Sequence, residues 1–206
     1  MQNNTIEGYR LSPQQRRQWV LPQQGEKSPY RVQVEVRIEG DVDAEALLKR
    51  LFVVISRHEI LNTTFQHLPG MNLPVQVINQ PQAPLTQFYD LSHLNSSAQE
   101  TEIDALYQQA LELPFDLQQS PPIHLFLLKL QTARHMLILG LPALCSDRPS
   151  LNRLVYELSQ SELPEPEMQF ADLAEWQHEL LESDNTEAGR DYWRKSKFVD
   201  AAQPEL

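Results

Sequence analysis

The sequence predicts an α/β fold, a two-layer sandwich in which a mixed, mostly antiparallel sheet is covered by helices. Three observations predict it. From Arg31 to Glu39, apolar Val32, Val34, Val36 and Ile38 alternate with charged or amide residues in period two, the pattern of a half-buried strand. Ile123 to Leu130 and His135 to Leu141 are apolar on both faces and joined by the polar link Gln131 to Arg134, as central strands of a hairpin are. Around these runs apolar residues recur at helical spacing, so strands and helices interleave while hairpin-like connections dominate.

In chain order, Gly40 ends the first strand, and Asp43 can cap a helix whose positions Leu47, Leu48, Leu51, Val54, Ile55 and His58 turn one stripe toward the sheet. After Asn62, TTFQHL and PVQVI read as two short strands joined around the turn Pro69-Gly70. Ser96 to Leu113 fits a helix through Ile103, Leu106, Tyr107, Ala110 and Leu111, closed by Pro114. Leu151, Leu154, Val155 and Leu158 mark another helix. The acidic, proline-broken loop with Glu162, Glu165 and Glu167 reads as a solvated connector, with a docking surface as the sharper reading. Phe170, Leu173, Ala174, Leu180 and Leu181 give the next helix, and Tyr192 and Trp193 lie on the last. No internal repeat and no long linker divides the chain.

Composition narrows the function classes. Apolar residues are 41% and charged residues 22% of the chain, ordinary for a globular domain. The net charge of −11 repels phosphate backbones and anionic lipid, which argues against nucleic acid or a membrane as partner. The single cysteine, Cys145, excludes an intrachain disulfide, and no apolar stretch approaches a bilayer span. The amino terminus lacks a signal peptide, so a cytoplasmic protein is expected. The sequons at Asn3, Asn62 and Asn95 are chance matches. The six histidines form no i, i+4 pair and no metal-spaced cluster with carboxylates. His124 and His135 are expected to be cross-strand neighbours on the central hairpin.

Four segments carry a family resemblance: LSPQQRRQWVL from Leu11, RHEILNTTF from Arg57, PFDLQQSPPIHLFLLKL from Pro114 and MQFADLAEW from Met168. In order and separation they resemble the first and second motifs of nonribosomal peptide synthetase condensation domains, the segment leading into the catalytic strand, and the fourth motif. The resemblance covers nearly the whole chain. It implies a chloramphenicol acetyltransferase-like half-domain, because such domains have two lobes with the active site in a tunnel between them. Residues 1–198 then read as the amino-terminal lobe, and 199–206 as a frayed tail or the start of the link to a missing carboxy-terminal lobe. A piece of a longer synthetase is favoured over a naturally split protein, and Met1 close to the opening motif suggests that the lobe begins its parent. Trp19, Trp176 and Trp193 fall at helical motif positions, where core packing is the expectation.

The family's third motif, H-H-x-x-x-D-G, has its second histidine near the amine that attacks a carrier-bound thioester. Here the stretch reads LPALCSDR from Leu141. Pro142 and Ala143 stand at the two histidine positions, Asp147 keeps the aspartate, and Arg148 replaces the glycine. Ala143 has no group to take or position a proton, a contribution of about 10²–10⁴-fold in rate. Asn62 stands where the second motif usually has an arginine paired with that aspartate. Asp147 is therefore expected to be structural, tied either to Arg148 or to backbone amides at the start of the following helix. Cys145 invites a nucleophile reading, against which stands a small buried core residue.

What the resemblance implies is a catalytically degenerate domain of secondary-metabolite biosynthesis, and an isolated lobe that is not an enzyme. It would scaffold adenylation and peptidyl carrier domains, or a recruited tailoring enzyme. It would bind no cofactor directly, meeting only the phosphopantetheine arm of a partner carrier protein. The alternative is an active condensation or acyl-transfer domain, completed by its second lobe, because holding two tethered reactants together is itself worth a large rate factor. A coenzyme A-dependent acyltransferase of the same superfamily would also need the missing histidine.

Overall fold

A computed structural model describes residues 7–20, 30–40, 43–119, 121–164, 168–183 and 186–195. The elements run α1 (Pro13–Val20), β1 (Arg31–Glu39), α2 (Ala44–Arg57), a 3₁₀ turn (Glu59–Asn62), β2 (Thr63–Gln66), β3 (Val75–Ile78), β4 (Leu85–Asp90), α3 (Ser96–Glu112), β5 (His124–Gln131), β6 (Arg134–Pro142), α4 (Arg148–Ser159), α5 (Phe170–Glu182) and α6 (Glu187–Lys195). The boundary at residue 198, the tail 199–206, Asn3, Glu165 and Glu167 lie outside the described residues.

β1, β6, β5 and β4 form a four-stranded sheet in that order. β1 and β5 both pair with β6 in antiparallel fashion, while β4 runs parallel to β5. The sheet is thus mixed and mostly antiparallel, as the sequence predicts. β5 and β6 are apolar on both faces, so both faces need cover. Leu125, Leu127, Leu137, Leu139 and Leu141 pack under Leu51, Val54 and Ile55 of α2 and Leu151 and Leu154 of α4. On the opposite face Phe126, Leu128, Met136 and Ile138 meet Leu106 and Ala110 of α3. Helices on both faces make three layers where the sequence reading counted two.

β2 and β3 form a separate antiparallel hairpin, with Gly70 of its turn at φ +82°, a backbone that a Cβ disfavours. Tyr9 joins its edge through two 2.8 Å backbone hydrogen bonds with Gln76. The same segment anchors α5. The Arg10 guanidinium donates to Glu175 at 2.9 Å and to Glu182 at 2.7 Å, and His178 Nε2 donates to the Leu11 carbonyl at 2.7 Å.

Two expectations need correction. His124 lies opposite Gly140 and His135 opposite Lys129, so the antiparallel register puts them at opposite ends of the hairpin. Of the three tryptophans, Trp19 packs near Phe65 with ring centroids 6.1 Å apart, whereas Trp176 and Trp193 are 54% and 64% exposed. Both outward tryptophans sit on α5 and α6, helices that cover neither face of the sheet.

Candidate functional site

The segment after β6 is where the sequence places its altered motif, and its backbone is held from three directions. Ala143 N–H donates to the Tyr30 carbonyl at 2.6 Å, and Cys145 N–H donates back to the Pro142 carbonyl at 2.9 Å, closing a tight turn. From the side, Gln15 of α1, itself buried, donates through Nε2 to the Leu144 carbonyl at 3.1 Å and to Gln76 Oε1 at 3.0 Å. Leu144 and Cys145 then close a small apolar cluster with Leu11 and Phe65.

Within this turn Pro142 is buried and Ala143 half-buried, and neither has an ionisable group. Cys145 is buried, and burial pushes its thiol far above the usual thiol range. A thiol so shielded does not form the thiolate that nucleophilic attack needs, so the nucleophile reading fails and the core reading holds. Asp147 is the N-cap of α4. Its Oδ1 accepts from Ser150 N–H at 2.9 Å and Ser150 Oγ at 2.5 Å, and these two bonds hold its carboxyl below the ordinary carboxylate range. Of the two ties considered for Asp147, the helix-start amide is the one present. Arg148 is exposed and takes part in no ion pair among the described residues.

Asn62 is 5% exposed and is satisfied elsewhere than at Asp147. Its Nδ2 donates to the Ile55 carbonyl at 2.8 Å and the His58 carbonyl at 3.2 Å, closing the carboxyl end of α2. Its Oδ1 is buried without a hydrogen-bond partner. Asn95 caps α3 by accepting from Ala98 N–H at 3.0 Å, and Glu162 is exposed.

Sequence reasoning missed two features. Glu157 of α4 is a buried carboxylate, its side chain 2% exposed, that receives His58 Nε2 at 2.8 Å and Arg153 Nε at 2.6 Å. Arg50 of α2 donates to the Glu157 carbonyl at 3.0 Å and also to that of Gln160, so α2 is tied to the carboxyl end of α4. The i, i+4 spacing of Arg153 and Glu157 was the available signal. The other feature is a cavity walled by carboxamides at Asn62, Gln66, Asn79 and neighbours, foreshadowed by the glutamine-rich runs near residues 76–82 and 118–119. No group of three or more His, Cys, Asp or Glu among the described residues is placed to hold a metal ion, and no described helix is long and apolar enough to cross a membrane.

A family model for the Condensation domain matches residues 5–204. Chondramide synthase cmdD of Chondromyces crocatus is 34% identical over 209 residues, which cover 95% of this chain and 5% of that synthase. The chain therefore spans a small fraction of the curated relatives it matches. A variant of the starter condensation domain of rhizomide synthetase shares the fold with a TM-score of 0.80 at 20% identity, over 96% of this chain and 46% of that one. The X-domain from teicoplanin biosynthesis, solved in complex with OxyB, has a TM-score of 0.71 at 25% identity, over 91% of this chain and 43% of that one. By a family match across almost its full length and by its sheet and helix order, the chain belongs to the condensation-domain family.

Proposed function

We propose that the chain is the amino-terminal lobe, residues 1–198, of a condensation-like domain of a cytoplasmic nonribosomal peptide synthetase. In this reading its chemistry is lost, and it serves as a scaffold or docking platform for neighbouring adenylation, carrier or tailoring domains. The observation that carries the proposal is the turn at 142–148. Pro142 and Ala143 offer no proton-transfer group, Cys145 is buried, and the Asp147 carboxylate is engaged in capping α4. Backbone hydrogen bonds at Ala143, Leu144 and Cys145 hold the turn, which fits a retained fold with altered chemistry.

Docking of a tailoring enzyme draws support from the similarity to an X-domain solved with OxyB. The phosphopantetheine arm of a carrier protein is the group that such a lobe would meet, and it binds no cofactor of its own. The test is thioester transfer by the full-length parent with loaded donor and acceptor carrier proteins, comparing wild type with Ala143→His by intact mass spectrometry. The expected wild-type result is no condensed product while carrier or adenylation partners still bind. Condensed product from wild type would favour the active reading, and loss of both product and partner binding would remove the scaffold.

A further inference from the structure

β1 is the outer strand of its sheet, with β6 on one side and no strand on the other among the described residues. The Tyr30 carbonyl accepts from the Ala143 N–H, and the Gly40 N–H donates to the Ala133 carbonyl. Backbone direction alternates along an antiparallel strand, so the even-numbered residues of β1 turn their N–H and C=O toward β6. The odd-numbered residues turn theirs outward. No described group bonds to the outward backbone of Gln33, Glu35, Arg37 or Glu39. Beside this edge runs a groove of about 490 Å³, floored by Val32 to Glu35 and flanked by Tyr107 of α3 on one face and by Leu151 and Asn152 of α4 on the other. A slot with a bare strand edge for its floor and a helix on each side fits one more strand, which would lie about 4.8 Å away.

Natural sheets blunt such an edge with lysine, proline or a bulge. β1 has none of these, and RVQVEVRIE pairs with β6 in unbroken register. Its charges cancel, Arg31 and Arg37 against Glu35 and Glu39, in a chain whose net charge is −11. Their order also selects one self-pairing. With two copies antiparallel and Val36 opposite Val36, Glu35 of each copy faces Arg37 of the other, Gln33 faces Glu39, and Val34 faces Ile38. A slip of two residues one way sets Glu35 against Glu35, and the other way Arg37 against Arg37, contacts that cross-strand repulsion disfavours. A slip of one residue sets outward backbone groups against inward ones. In the favoured register the half-buried Val34, Val36 and Ile38, which already pack on the core, meet their counterparts on one face while the charges meet on the other.

We propose that the β1 edge binds a second copy of this chain, antiparallel about Val36, so that the sheet continues across a two-fold axis. The interface is separate from the altered turn and does not depend on whether that turn has lost its chemistry. The net charge of each copy opposes approach, but at physiological ionic strength it is screened beyond about 8 Å. The opposed charges on β1 would lie only about 5 Å apart.

The experiment is sedimentation equilibrium of the chain at physiological ionic strength, paired with amide exchange read by NMR. So small an interface implies a weak dimer, with a dissociation constant of about 0.1 mM. Exchange at Gln33, Glu35, Arg37 and Glu39 should slow as concentration rises, while Val34 and Val36, bonded to β6 at every concentration, should not change. Glu35 and Arg37 are exposed, so both can be altered without disturbing the core. Arg37→Glu should weaken dimerisation about tenfold or more, because symmetry makes each like-charge contact twice. The double variant Glu35→Arg/Arg37→Glu should restore it, since these two residues face one another across the axis in this register alone. An unchanged far-UV spectrum of each variant verifies that it is folded. A monomer at every concentration up to about 1 mM, with the outward amides exchanging freely, would overturn the proposal and leave the slot to a strand of a different chain. So would a dimer indifferent to Arg37→Glu, or one that the double variant fails to restore.

Discussion

Replacing Glu157 tests whether the tie between α2 and the carboxyl end of α4 stabilises the fold. The carboxylate side chain is 2% exposed, while its partners His58 and Arg153 are 26% and 56% exposed. The Arg153 pair is therefore solvent-screened and worth about 0.2–1 kcal/mol. The bond from His58 to a buried charge is worth about 1.5–3 kcal/mol. Glu157→Ala frees two partners that can both reach water, so the loss stays near the sum, about 2–3 kcal/mol, below the cost of stranding a buried ion. For a chain of this size that lowers Tm by about 4–12 °C. The pH dependence gives a sharper test. Burial raises the Glu157 pKa, but hydrogen bonds from His58 and Arg153 more than offset this and leave it below the ordinary value. A depressed carboxylate contributes stability above its unfolded pKa and loses it as pH falls through the folded one. Urea unfolding of wild type and Glu157→Gln should therefore differ most near neutrality and converge in acid. A difference that stays constant from neutral to acid pH, or no difference at all, would refute the reasoning.

The other expectations follow from single contacts. Asp147→Ala removes the α4 cap and should cost about 1 kcal/mol, while Asp147→Asn, an equally good cap, should cost much less; equal unfolding midpoints for Asp147→Ala and wild type would exclude the capping role. Because the Asp147 carboxyl is held below its ordinary value by Ser150, the wild-type advantage over Asp147→Ala should also fade as pH falls through that lowered value. Cys145 should resist iodoacetamide in the native chain and label readily in urea, as followed by mass spectrometry; comparable rates in both states would contradict its burial. Trp176 and Trp193 should be quenched by iodide and Trp19 protected, so a Trp19→Phe variant should lose the protected fraction of the fluorescence. A quenching curve unchanged by that substitution would place a different tryptophan inside.

The parts of the fold legible in the sequence are those where one physical signal dominates. Alternation at Val32, Val34, Val36 and Ile38 marked β1, and runs apolar on both faces marked β5 and β6. β4 escaped because LTQFYD is short, follows Pro81 and Pro84, and owes its place to parallel pairing with β5 across α3, a tertiary effect that local pattern does not carry. α1 escaped because PQQRRQWV has a weak apolar stripe, and its place depends on Gln15, a buried amide held by bonds to Gln76 and Leu144. The histidine pairing failed because register is set by the turn at residues 132–133 and the irregularity between Lys129 and Gln131, neither visible as a pattern. At the candidate site, the motif resemblance identified Ala143 and Asn62, but which group satisfies Asp147 required the geometry of Ser150.

The sheet order has a consequence for biosynthesis. β1 finds its sheet partner in β6, and residues 40–133 separate the paired ends Glu39 and Arg134. At ribosomal speeds that stretch takes about 5–20 s to emerge. During that interval a strand rich in alternating valines has no ladder to join, which is the kind of unpaired edge that invites association between nascent chains. β4, α3, β5 and β6 follow one another closely and can assemble as they appear, so β1 is expected to dock onto a platform made after it. The alternate charges of β1, at Arg31, Glu35, Arg37 and Glu39, keep that waiting strand soluble until its partner arrives.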